Sequence, residues 1–148
     1  MNEQGKVVAV CVSASGGIPR YATSVVELTP QGVVGDKHRY IEHETNERAV
    51  SLFDAEMYER LLIDGQSPPP GSVGENVTVC GLGLANLPEG TEIALGDAVV
   101  RLTRPWAPCY AQHPESGKTQ PNDEKLSGWF AMVTRAARVA VGDVANVS

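Results

Sequence analysis

A chain of 148 residues, 42% hydrophobic but only 5% aromatic, can bury one real core, and must build it mostly from Val, Leu, Ala and Ile. Its formal charge of −6 argues against a general nucleic-acid binder, which needs a basic face, while 15 Gly and 10 Pro favour short strands and many turns. No stretch approaches about 20 apolar residues, so no membrane span is expected.

In chain order, KVVAVCVS (Lys6–Ser13) is dense in β-branched residues and reads as a strand, with the loop ASGGIPR after it. The start of the chain carries too short an apolar run for a convincing signal peptide. SVVELT (Ser24–Thr29) reads as a second strand, TPQGVVGDKHR as a glycine-punctuated loop, and IEHETNE as polar surface. RAVSLF (Arg48–Phe53) returns to strand pattern. Asp54 is then placed to cap a helix, AEMYERLLID, over Asp54–Asp64, stopped by Gly65 and by the prolines of SPPPGS. NVTVCG reads as a strand, and TEIAL-GD-AVVRLT as a hairpin turning at Gly96–Asp97. A polar loop with one helical turn near Asp123–Leu126 follows, and WFAMVT and RVAVGDVANV close the chain as strands. This pattern predicts a single mainly β domain over 1–148: a closed or nearly closed β-barrel with one clear helix and a few short helical turns.

Three stretches carry possible chemistry. GVVGDKHR (Gly32–Arg39) sets Lys37 and His38 beside two glycines, a combination suited to an anion, although a solvated turn has the same composition. GSVGENVTV (Gly71–Val79) opens a strand with Glu75 and Asn76, which can either face a cleft or fasten the loop to the strand. RPWAPCY (Arg104–Tyr110) holds Cys109 between prolines, past the strand-like AVVRLT. Arg104 and His113 lie near enough in sequence to lower its thiol pKa. Cysteine is also among the most buried residue types, so the local residues leave both a reactive and a structural Cys109 open, whereas Cys11 and Cys80 sit in apolar strand runs and read as structural. Three cysteines without CxxC spacing argue against a disulfide framework and for a cytoplasmic, reducing setting. His38, His43, Cys109 and His113 have the side chains of a zinc site but lack its compact spacing, and no GxSxG elbow marks a serine hydrolase.

The ordered set GVVGDKH, RAVSLFDAEMYE, PGSVGENVTVCGLGL, GTEIALGDAVVRLT and RPWAPC resembles the MOSC domain, named from the C-terminal domain of molybdenum-cofactor sulfurase. The likeness runs from about Gly32 to Cys109 and continues more loosely through GWFAMV and VAVGD. It implies a β-barrel whose cleft binds the molybdenum cofactor (molybdopterin), a phosphorylated pterin with a dithiolene-held metal. Cys109, the catalytic candidate, would ligate molybdenum or carry sulfur as a persulfide. Lys37 and His38 match the family's GD-basic turn, Arg48 and Ser51 its R-x-V-S-L segment, and Glu75 and Asn76 its G-E-N step. Arg104 would contact phosphate or pterin beside Cys109.

The resemblance therefore implies an oxidoreductase or a sulfur carrier with a small-molecule ligand. Its partner would be an electron-transfer protein or a cysteine desulfurase, the latter carrying any pyridoxal phosphate on its own chain. Two further readings belong to other classes: a barrel enzyme acting on another small anionic substrate, with Cys109 as nucleophile or bystander, and a non-catalytic binding module. The closing VTRAARVAVGD departs from the family in having Ala136–Ala137 where a glycine turn is common.

Overall fold

The computed structural model describes residues 4–14, 20–36, 46–58, 69–106 and 127–147. Eleven strands can be followed through them: β1 (Gln4–Val12), β2 (Tyr21–Thr23), β3 (Val25–Thr29), β4 (Gly32–Val33), β5 (Val50–Asp54), β6 (Val77–Cys80), β7 (Glu92–Leu95), β8 (Ala98–Trp106), β9 (Gly128–Arg135), β10 (Ala137–Ala140) and β11 (Val144–Val147). Helix α1 (Ala55–Tyr58) follows β5, and short 3-10 turns occupy Asn46–Arg48 and Leu84–Asn86.

Neighbouring strands run β11-β7-β8-β9-β5-β6-β1, and β1 pairs back onto β11, which closes a seven-stranded barrel. Closure is possible because one edge of β1 is shared. Gln4–Lys6 meet β11 and Val10–Val12 meet β2, while the opposite edge pairs with β6. All the barrel pairings are antiparallel except β5–β6. A second sheet, β10-β3-β4, packs beside the barrel.

Alternation fills the interior. Val50 and Leu52 of β5, Val77 and Val79 of β6, Val100 and Leu102 of β8, and Trp129, Ala131 and Val133 of β9 all belong to one buried cluster. The Trp129 indole donates to the Leu84 carbonyl at 2.8 Å, so the large side chain buries its one polar atom satisfied. A smaller cluster lies on the outer face, where Phe53, Met57, Tyr58 and Val73 pack with the half-buried Trp106. Phe53 lies edge-on to Tyr58 and stacks with Trp106 at 5.6 Å.

The barrel, the β7–β8 hairpin at Gly96–Asp97 and the start of the helix match the sequence reading. The expected continuation of the helix past Tyr58 and the turn near Asp123–Leu126 lie outside the described residues. Five details differ. The expected loop at Gly32–Val33 is a two-residue strand paired with β3, and Tyr21–Thr23 adds a strand on β1. Strand β8 runs on through Arg104, Pro105 and Trp106 instead of ending at Thr103. The closing strands β9 and β10 do not form a hairpin at Ala136–Ala137, because β10 crosses to the second sheet and pairs with β3. Asp54, expected to cap the long helix, ends β5, and its carboxylate accepts the Leu84 N–H at 3.2 Å. It thereby serves the first amide of a distant 3-10 turn, whose free N–H groups need an acceptor in the same way.

Candidate functional site

The outer face beside β5, β8 and β9 carries two of the expected residues, Arg48 and Arg104, and a β-bulge in β8 turns Arg104 there. Leu102 pairs with Ala131 on the inner face, yet Arg104, not Thr103, pairs with Phe130. One extra residue on β8 reverses the alternation beyond it. Uninterrupted, the two-residue period would turn Arg104 inward with Leu102. With the bulge, Arg104 and Trp106 share the outer face with Phe130. Trp106 tilts toward Phe130 at 6.1 Å, and the Arg48 guanidinium sits 5.3 Å from the centre of the Phe130 ring. Arg48 thus rests on the Phe130 ring, and Arg104 is the register partner of the same residue on β8.

Neither arginine has a carboxylate partner among the described residues, whereas Arg20 pairs with Asp36 and Arg101 with Glu92. Arg104 is exposed and Arg48 partly so. In a chain with net charge −6, two guanidinium groups without carboxylate partners among the described residues, one of them on the Phe130 ring, form a local anion-attracting surface. Trp106 contributes a fixed wall. A Cβ on Gly128, opposite it in the register, would collide with the indole ring and with the Leu52 carbonyl, so that position needs glycine.

The other described candidates, Ser51, Glu75 and Asn76, are buried. Asn76 is buried and its side-chain oxygen accepts the Ser51 N–H and hydroxyl, each at 3.1 Å. Its Nδ2 donates to the Cys11 carbonyl at 3.2 Å. Ser51 and Asn76 therefore stitch β5 to β1 at the point where β6 begins between them. Glu75 has no solvent exposure. Tyr58 Oη lies 2.8 and 2.7 Å from its two carboxylate oxygens, and Thr78 donates to one of them at 2.7 Å. Burial holds the Glu75 carboxyl above the ordinary carboxylate range, opposed by the Tyr58 and Thr78 hydrogen bonds. Burial likewise raises the Tyr58 hydroxyl, with the Glu75 charge adding to it. Of the two arrangements the sequence left open for the G-E-N step, the geometry is the fastening one: Glu75 ties α1 to the barrel wall.

Two residues the sequence reading passed over hold the surrounding loops. Arg20 donates through Nε to Asp36 Oδ1 at 2.8 Å and through Nη1 to the Gly74 carbonyl. Asp36 Oδ1 also accepts the Ser13 N–H at 2.8 Å. One ion pair, nearly buried, therefore joins the GVVGD turn to the GSVGEN loop. Gly71 completes the join with φ of +91° and no room for a Cβ beside the Arg20 carbonyl. Asp36 lay within a quoted motif, so it was visible as a candidate, but nothing in the sequence connects it to Arg20.

Cys11 is fully buried, and its thiol is pushed up to about 12 by burial and then by the Glu75 charge, with Arg20 opposing. That suits a structural thiol. Cys109, Lys37 and His38 lie outside the described residues, as do His43 and His113. Among the described residues no group of three or more His, Cys, Asp and Glu is placed to hold a metal, and no helix is long and apolar enough to cross a membrane.

The model of the MOSC domain matches residues 39–146, from just after the GD-basic turn into the last strand. The chain belongs to the MOSC domain family. The MOSC fold is seen again in solved structures. YuaD of Bacillus subtilis superposes with a TM-score of 0.78 at 19% identity, covering 99% of this chain and 97% of that one. YiiM of Geobacillus stearothermophilus gives 0.73 at 19% identity, covering 97% and 75%. YiiM of Escherichia coli gives 0.64 at 20% identity, covering 100% and 70%. No curated protein sequence matches the chain.

Proposed function

We propose that this MOSC protein binds the molybdenum cofactor and works through Cys109, as the molybdenum ligand of an oxidoreductase or as a persulfide-bearing sulfur carrier. The observation that supports the reading is the pair of arginines without carboxylate partners among the described residues, Arg48 on the Phe130 ring and Arg104 on β8, the strand that leads through Trp106 into the Pro-Cys segment. These residues fit the phosphate-and-ring end of a phosphorylated pterin. Guanidinium groups bind phosphate in bidentate fashion, and the aromatic side chains offer apolar surface to a flat ring. Ser51, Glu75 and Asn76 do not fit as direct contacts, because their polar atoms are engaged inside the protein. Their part is to fix the floor beneath the outer face.

When bound, the cofactor supplies a sulfur-ligated, redox-active metal. The chain's own contribution is then positional and electrostatic. Arg48 and Arg104 hold the anionic end, and Lys37 and His38 follow in sequence on Asp36, which Arg20 and Ser13 anchor. Cys109 supplies a soft thiolate. In the carrier role that thiolate attacks the outer sulfur of a partner desulfurase's persulfide, and the partner's thiolate leaves. In the oxidoreductase role an electron-transfer partner is required, because the sequence shows no flavin or nicotinamide motif.

The test is elemental analysis and native mass spectrometry of protein made in a host that synthesises the cofactor. Bound pterin and molybdenum, lost with Arg48 and Arg104 replaced together, support the first role. One additional sulfur on Cys109 supports the second. Protein with neither, and a Cys109→Ser variant indistinguishable from the parent in both measurements, would overturn the proposal.

A further inference from the structure

Thr103 is the extra residue of the β8 bulge, and its hydroxyl reaches two other elements. Its Oγ1 lies 2.5 Å from the Glu47 carbonyl and 3.1 Å from the Phe130 carbonyl. Glu47 immediately precedes Arg48 in the 3-10 turn Asn46–Arg48, and Phe130 is the ring against which that arginine rests. One residue therefore meets both halves of the arginine pair. By its insertion it turns Arg104 outward, and by its hydroxyl it tethers the turn that carries Arg48.

We infer that Thr103 is a positioning residue for a two-arginine oxyanion site formed by Arg48 and Arg104 beside Phe130, whose ligand is a phosphate-bearing small molecule. This rests on the reading of the arginine pair given above. Three observations carry it. The register step makes Arg104 and Phe130 neighbours on the outer face where simple alternation would have separated them. The Thr103 hydroxyl donates its one proton to the Glu47 carbonyl at 2.5 Å, with the Phe130 carbonyl of β9 at 3.1 Å as a second acceptor for the same proton, so it holds the turn against β8 beside β9. Both guanidinium groups stay without carboxylate partners among the described residues, leaving their donors for a ligand. A long arginine side chain loses substantial rotamer freedom on binding, and a tether that pre-sets its backbone lowers that cost.

The test is a titration with inorganic phosphate, read from the side-chain Nε–H resonances of Arg48 and Arg104, on the parent chain and four variants: Thr103→Val, Thr103→Ser, Arg48→Met and Thr103→Val with Arg48→Met. Val keeps the bulge residue and its branched shape but removes the donor; Ser keeps the donor. Arg48→Met should weaken phosphate on the order of tenfold, as loss of a hydrogen bond between charged groups does. Thr103→Val should weaken it about three- to tenfold with thermal stability nearly unchanged, and Thr103→Ser should stay within about twofold of the parent. In the Arg48→Met background, Thr103→Val should have almost no further effect, which a general structural defect would not reproduce.

Parent-like affinity in Thr103→Val overturns the inference and leaves the arginine site standing. An equal loss from Thr103→Val with and without Arg48 also overturns it, since the tether would then act by another route. No saturable phosphate shift in the parent chain, or parent-like affinity in Arg48→Met, removes the arginine site itself and the inference with it.

Discussion

Asp54 sits where β5 hands over to α1, is only 4% exposed, and has the Leu84 amide as its hydrogen-bond donor. Burial raises its carboxyl from 3.8 to about 6, the Glu56 charge adds to the rise, and the Leu84 N–H opposes it. A carboxyl raised in the folded state stabilises the fold when protonated. That contribution is fully present below about 3.8 and is lost as the pH climbs through about 6. The difference of roughly two pKa units corresponds to about 3 kcal/mol, an upper figure for a group that keeps one good donor.

Asp54→Asn retains the carbonyl oxygen for the Leu84 amide and removes the titration. Urea unfolding of both proteins between about pH 4 and pH 8 should show the variant gaining on the parent as the pH rises. The gain should total up to about 3 kcal/mol and level off above about pH 7. Every other titrating group, Glu75 included, is common to the two proteins and cancels in the difference. Any fixed cost of placing the new amide shifts the whole curve without bending it. A difference that is flat across this range, or one that moves against the variant at higher pH, would refute the assignment of a raised carboxyl to Asp54.

Other outcomes follow from the same packing. With its thiol near 12 instead of 9.0, Cys11 carries about a thousandfold less thiolate than an ordinary cysteine at neutral pH; mass-spectrometric mapping after iodoacetamide should find it modified only on unfolding. Cys109→Ser should keep the melting temperature and lose the sulfur or molybdenum signal, checked by the cofactor analysis described above. Tyr58→Phe withdraws a hydroxyl from both oxygens of the buried Glu75 carboxyl and should cost about 1–3 kcal/mol in chemical unfolding. Gly128→Ala forces a methyl against the Trp106 indole and the Leu52 carbonyl, and should lower stability by about 1–3 kcal/mol and shift the tryptophan emission.

The strands of the barrel were legible in the chain because their residues are β-branched and alternate, a local preference that survives in any context where one face is buried. The Gly96–Asp97 turn was legible for a similar reason, since a two-residue hairpin draws on very few residue types. Candidate residues could be named because RPWAPC, GVVGDKH and GSVGEN are unusual in composition, and the family resemblance ordered them. What each side chain faces was not legible. Glu75 and Asn76 look like surface polar residues in a glycine-rich loop, yet Tyr58 and Thr78 enclose the first, and Ser51 and Cys11 the second. Arg20 and Asp36 meet across 16 positions without any periodic signal to link them. Arg104 depends on the register of a partner strand: read along β8 alone it belongs inside with Leu102, and only the pairing with β9 turns it out. Secondary structure follows from preferences that neighbouring residues share. The direction of a side chain beyond a bulge follows from hydrogen bonds to a strand about 25 residues away, because each residue rises only about 3.3 Å and a single insertion reverses every face after it.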